Sequence, residues 1–128
     1  LLCLLAIMVN NTGFVSEVVQ GNTRTNQRVM CPSGREALAF REAEGADVKH
    51  TGGMGGRALL KEGLDAVDLL DEMLHKDVGI VACGGVENGS SCTKYYKLGA
   101  VGFQIGTAFG EHGPRIFSDI LEELLRPD

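Results

Sequence analysis

The sequence is poor in clustered positive charge. Its 12 Lys and Arg are scattered and outnumbered by 17 Asp and Glu, for a formal net charge of −5. Nucleic-acid and anionic-membrane binding draw on counterion release from clustered cations, so no nucleic-acid partner is expected. The longest apolar run, Leu1–Val9, has nine residues, against about 20 for a bilayer-spanning helix. It has no basic stretch before it and no small-residue cleavage site after it, so neither a membrane span nor a secretory signal is expected. Cys3, Cys31, Cys83 and Cys92 form no C-x-x-C pair, and His50, His75 and His112 complete no zinc spacing. No metal is therefore expected, and the thiols read as reduced core groups in a reducing compartment. There is also no Ser–His–Asp order, no P-loop, no facing pair of carboxylates, no internal repeat and no low-complexity tract.

What is present is an apolar chain rich in glycine. Its 128 residues are 44% hydrophobic, enough for one domain with a core. Its 18 glycines are about twice the average ~7% share, without a collagen period. They cluster beside apolar runs, where bare backbone can approach a ligand. The chain opens Leu1-Leu2-Cys3 without Met, which reads as a start in mid-fold. Leu2–Val9 reads as a strand buried on both faces, a clipped targeting segment being the alternative. Asn10-Asn11-Thr12-Gly13 is a turn signal after it. Residues 14–49 read as loop with some extended pieces, Ser33–Glu44 being a possible short helix.

From Gly52 onward strand and helix alternate. Leu64, Val67, Leu70 and Leu74 recur at helical spacing behind Gly52-Gly53-Met54-Gly55-Gly56. Val78–Ala82 reads as a buried strand running into Cys83-Gly84-Gly85. Ser90-Ser91 can cap a helix reaching about Leu98, with Gly99 closing it. Val101–Ile105 is a second buried strand ending at Gly106-Thr107. Gly113-Pro114 opens a last helix with Ile116, Phe117, Ile120, Leu121, Leu124 and Leu125 on its apolar face. The alternation predicts right-handed parallel βαβ units.

In such folds ligands lie at the carboxyl ends of the strands. Glycine turns there leave amide N–H groups free to meet an anion, and a helix N-terminus behind them adds partial positive charge. One Gly-Gly turn is commonly only a tight connection. Two on neighbouring strands, with the Thr107 hydroxyl, point to a phosphate. Asn10 and Asn11 either satisfy turn backbone or read a carboxylate or imide edge. Tyr95 and Tyr96 read as outer packing, Lys61, Lys94 and Lys97 as solvated helix positions, and His50 and His112 as surface histidines. Glu87 reads as a cap of the next helix or a support beside the site. A phosphate site with few acid–base groups fits a cofactor that carries the hard chemistry.

Three blocks and the closing segment resemble the dihydroorotate dehydrogenase family, most closely its fumarate-using class 1A branch. They are Gly52-Gly53-Met54-Gly55-Gly56, Ile80-Val81-Ala82-Cys83-Gly84-Gly85-Val86-Glu87-Asn88-Gly89, Phe103-Gln104-Ile105-Gly106-Thr107-Ala108-Phe109, and Glu111-His112-Gly113-Pro114-Arg115-Ile116-Phe117. The match covers about residues 50–126, with a looser one over Ile7–Gly13. The resemblance implies an α/β fold, the C-terminal part (about three βα units) of a TIM (β/α)8 barrel, with 1–128 as one partial FMN-binding domain and 14–49 as a loop-rich insertion.

By position, the resemblance implies FMN held at its phosphate and ribityl end by Gly56, Gly84, Gly85, Gly106 and Thr107. Asn10 would bind dihydroorotate, with Asn11 in place of the family's Ser. The implied reaction oxidises dihydroorotate to orotate in pyrimidine synthesis, with fumarate as acceptor, in the cytoplasm. The segment before Gly52 is roughly 18 residues longer than the family's. Leu60-Lys61 replaces the family's helix-opening Lys-Pro, and Ser91 replaces a usual Asp. A whole barrel takes about 250 residues, so the family's catalytic base and flavin-side lysine fall outside this chain. The expectation is a catalytically incomplete piece, completed as a homodimer or by another protein chain. The rival expectation is an inactive dehydrogenase-derived structural or assembly subunit, mitochondrial if it belongs to a larger complex.

Overall fold

The computed structural model of the chain describes residues 10, 16–21, 24–25 and 53–126. The expected strand Leu2–Val9, the helix Ser33–Glu44, and Asn11, Cys3, Cys31 and His50 lie outside them.

Three parallel strands form the sheet, in the order β1 (Glu17–Gln20), β4 (Gly79–Cys83), β5 (Ala100–Gln104). Glu17 stands opposite Gly79 and Gln20 opposite Ala82, while Cys83 stands opposite Gln104. A minor antiparallel pair, β2 (Arg24–Thr25) with β3 (Gly53–Met54), holds the start of the first glycine block. A 3-10 turn over Gly56–Leu59 runs on into α1 (Leu60–Met73), and α2 (Gly89–Lys97) links β4 to β5. After β5 come a short α3 (Thr107–His112) and then α4 (Arg115–Leu125). This is the α/β pattern of a (β/α)8 barrel, represented here by three of its parallel strands.

Each helix lies where its sequence sends it. The helical-period positions Val67 and Leu70 of α1, and Leu74 just after it, are buried in one core with Ile80 and Ala82 of β4. Burying each such aliphatic side chain is worth about 1.5–3 kcal/mol. The α2 cap differs from the expectation that Ser90-Ser91 would provide it. Asn88 is the N-cap, accepting from the Ser91 N–H at 2.8 Å. Ser91 reciprocates from the third helical position, its Oγ accepting from the Asn88 and Glu87 N–H groups at 3.1 Å each. Asn88 stands directly before the helix, so its side chain, and not that of Ser90 at the second helical position, reaches the free amide of the first turn. Gly99, at φ +99°, follows α2 as expected.

One expectation is sharpened and one corrected. Among the extended pieces expected within the loop-rich stretch is β1, which supplies the third parallel strand. Its apolar centre is only Val18-Val19 between polar neighbours, too short to show a period, and its pairing with β4 is entirely non-local. The apolar face foreseen for α4 is also split. Ile116 and Ile120 are buried, whereas Phe117, Leu121, Leu124 and Leu125 are exposed, Leu125 at 79%. They form a stripe that the described residues leave uncovered. Val101 of β5 is likewise 66% exposed.

Candidate phosphate site

The carboxyl ends of β4 and β5 and the turn entering α1 converge on one cavity of about 100 Å³. Gly56, Gly84, Gly85, Gly106 and Thr107 all line it, together with Gly55, Leu59, Cys83, Val86 and Gln104. Gly56, at φ +70°, faces Thr107 so closely that a Cβ there would lie 3.2 Å from Thr107 Cγ2. Gly84 and Gly85 have φ values of +121° and +68°, backbone that only glycine adopts freely. Gly85 packs its bare Cα onto the start of α1, where a Cβ would meet Leu60 Cβ at 2.7 Å and Leu60 N at 2.9 Å. Gly106 precedes α3 and has nothing within 4 Å of its Cβ position.

The electrostatics of this lining favour an anion. No carboxylate is among the lining residues. No backbone carbonyl among the described residues accepts from the Gly84 or Gly85 amides. The 3-10 turn and α1 present their N-terminal end to the cavity, where partial positive charge gathers. At the rim, Arg57 Nε pairs with Glu87 Oε1 at 3.0 Å, joining the turn before α1 to the turn after β4. Glu87 is thus a support at the rim, while the cap of α2 is Asn88. The cavity is small beside the roughly 300–1,000 Å³ of a drug-sized ligand site. It suits a phosphate group and the chain just behind it.

Asn10 is not brought to this cavity. Its Nδ2 donates to the Met73 carbonyl at 2.9 Å, and its Oδ1 accepts from the His75 N–H at 3.0 Å. These groups close the C-terminal end of α1, which lies at the amino end of β4, opposite the glycine turns. The amide thus satisfies a carbonyl of the last turn of α1 and an N–H just beyond it, where the sequence leaves turn backbone open as its partner. The strand that does reach the cavity's level is β1. At Gly21, just beyond it, a Cβ would overlap the Cys83 carbonyl. Asn22 and Thr23 follow in sequence, outside the described residues.

Tyr95 also departs from expectation. It is fully buried rather than outer packing, and its hydroxyl donates to the Gly84 carbonyl at 2.6 Å. Burial, with a smaller contribution from Cys83, pushes its phenol up to about 12. Tyr96 is 70% exposed, as foreseen. Gln104 and Cys83 were not singled out from the sequence. Both end a strand immediately before a glycine turn, and that position was the available signal. Among the described residues no group of His, Cys, Asp and Glu could hold a metal ion, and no helix is long and apolar enough to cross a membrane.

Parallel βα units with glycine turns gathered at the strands' carboxyl ends belong to the (β/α)8 barrel class, and that end is where such folds hold their ligands. The particular family follows from comparison with known proteins. The family model described as "Dihydroorotate dehydrogenase" matches residues 5–127, and the chain belongs to that family. It is 36% identical over 78 residues to the mitochondrial quinone-type dihydroorotate dehydrogenase of Schizosaccharomyces pombe, covering 61% of this chain and 18% of the relative. It is 35% identical over 86 residues to the fumarate-type dihydroorotate dehydrogenase A of Lactococcus lactis, covering 65% of this chain and 28% of the relative. Among solved structures it is similar to the Eimeria tenella dihydroorotate dehydrogenase in complex with ferulenol. The TM-score is 0.75 at 26% identity, over 97% of this chain and 30% of that one. The chain thus spans less than a third of the length of each of these relatives.

Proposed function

We propose that the chain forms the phosphate end of an FMN site in an enzyme that oxidises dihydroorotate to orotate. The observation that carries the reading is the convergence of Gly56, Gly84, Gly85, Gly106 and Thr107 on one cavity free of carboxylates. FMN fits this lining by its phosphate. The glycine amides donate to phosphate oxygens, the Thr107 hydroxyl adds a side-chain donor, and the absent Cβ atoms leave the backbone open to close approach. When bound, FMN supplies the two-electron acceptor for dihydroorotate. The chain's own residues bind and orient it; none is assigned to proton removal.

The second acceptor is fumarate on this reading. Support comes from Gly55-Gly56, the second glycine pair of the block that resembles the fumarate-using branch, and from the likeness to fumarate-type relatives; the likeness to the quinone-type S. pombe enzyme is of similar strength. The exposed stripe of α4 and the outer face of β5 take the remainder of a barrel, from further residues or another chain, as a homodimer or a complementing partner. Cytoplasmic localisation goes with the fumarate-type reading.

A second reading has one specific observation in its favour: the Asn10 amide is already engaged by the Met73 carbonyl and the His75 N–H. On that reading the chain is a dehydrogenase-derived structural subunit, mitochondrial if its complex is. The separating experiment is purification of the full chain and inspection of its visible flavin absorbance. Yellow protein that bleaches on addition of dihydroorotate supports the enzyme. Colourless protein with a stoichiometric partner would establish the subunit instead.

A further inference from the structure

The glycine turn after β4 is anchored by a device that the phosphate reading does not require. Tyr95 lies on α2 and Gly63 on α1, and the two helices meet behind the Gly84-Gly85 turn. Gly63 is fully enclosed within α1, where glycine costs about 1 kcal/mol relative to alanine. The structure supplies the reason: a Cβ at Gly63 would overlap the Tyr95 hydroxyl. The missing side chain on one helix makes the channel through which the phenol of the other reaches Gly84. At its end the hydroxyl donates to the Gly84 carbonyl at 2.6 Å.

The direction of that bond matters because a trans peptide is planar. The carbonyl of Gly84 and the N–H of Gly85 belong to one peptide unit and point in opposite directions. Holding the carbonyl toward the buried phenol therefore holds the Gly85 N–H away from it. Glycines on both sides of the peptide make its rotation sterically cheap, so an anchor decides which way it faces. Because burial keeps the phenol protonated up to about 12, the anchor persists across the physiological range.

We propose that Tyr95, admitted by Gly63, is the positioning residue that sets the Gly84–Gly85 peptide so that its N–H, and not its carbonyl, serves the phosphate. The part concerning phosphate rests on the function proposed above; the part concerning the peptide stands alone. In Tyr95→Phe the ring remains and only the hydroxyl is lost. The 15N order parameter of the Gly85 N–H should fall from about 0.85 to below about 0.6, while the amides of β4 and of Val67 stay rigid. The preference for FMN over riboflavin, which lacks the phosphate, should fall about tenfold, as the loss of one well-placed hydrogen bond predicts. Gly63→Ala should reproduce the Gly85 change by displacing the hydroxyl. Adding Tyr95→Phe to it should bring no further change, since both act through one contact.

A Gly85 amide that stays rigid in Tyr95→Phe, or loosens only in step with the whole core, overturns the proposal and leaves Tyr95 as packing. Failure of the unsubstituted chain to prefer FMN overturns the functional reading instead. The order parameter still decides the role of Tyr95 in that case.

Discussion

Gly85→Ala and Gly106→Ala place the same methyl group in the same cavity wall, yet their effects on stability should differ sharply. At Gly85 two costs combine. The residue has φ +68°, and left-handed backbone costs a non-glycine residue roughly 1–2 kcal/mol. The new Cβ would also lie 2.7 Å from Leu60 Cβ and 2.9 Å from Leu60 Cα and N. These last are backbone atoms at the start of α1 and cannot swing aside, so overpacking adds about 1–3 kcal/mol. The expected destabilisation is about 2–5 kcal/mol. At Gly106, φ is −111° and nothing lies within 4 Å, so the change should stay within about 0.5 kcal/mol. Urea denaturation of the ligand-free full chains measures both. With a slope of about 1–3 kcal/mol/M, Gly85→Ala should lower the midpoint by at least about 0.7 M, and Gly106→Ala should barely move it. Equal midpoints for the two variants would refute the claim that Gly85 is pressed onto α1.

Three further outcomes follow from single contacts. Ser91→Ala strips the acceptor from the Glu87 and Asn88 N–H groups and should cost about 0.5–2 kcal/mol by denaturation. Asn10→Ala should cost about 1 kcal/mol by releasing the Met73 carbonyl and His75 N–H. It should leave FMN affinity unchanged; lost affinity at full stability would contradict its place at the far end of the sheet. The Tyr95 phenol is raised from 10 to about 12 in the folded chain, so its stabilising effect is complete below pH 10 and is lost as pH climbs toward 12. A shift of that size amounts to roughly 3 kcal/mol at most, seen as a falling denaturation midpoint over this window. Tyr95→Phe should lack this component of the decline.

The parts of the molecule legible in the sequence are those governed by local pattern. Val67, Leu70 and Leu74 mark α1 because a helix repeats its buried face within a few residues. Gly84-Gly85 and Gly106-Thr107 mark strand ends because tight βα turns demand glycine. The illegible parts depend on partners distant in the chain. β1 has only Val18 and Val19 to announce it, and its identity as a strand comes from β4. Tyr95 looks like any tyrosine on a polar helix until Gly63, on another helix, opens the space for its hydroxyl. Asn10 carries the side chain suited to a ligand, but α1 delivers two unsatisfied backbone groups to it first. The cavity was therefore readable from its glycines, while the side chains that hold it in shape were not.

The central claim, that these glycine turns form a phosphate cup, is met head-on by titrating the full chain with FMN and riboflavin under identical conditions and following flavin fluorescence. The two ligands differ only in the phosphate that the cup is built to receive. FMN binding at least tenfold tighter than riboflavin, about 1.4 kcal/mol, is the predicted result. Equal affinity for the two, or no binding of either, would contradict it.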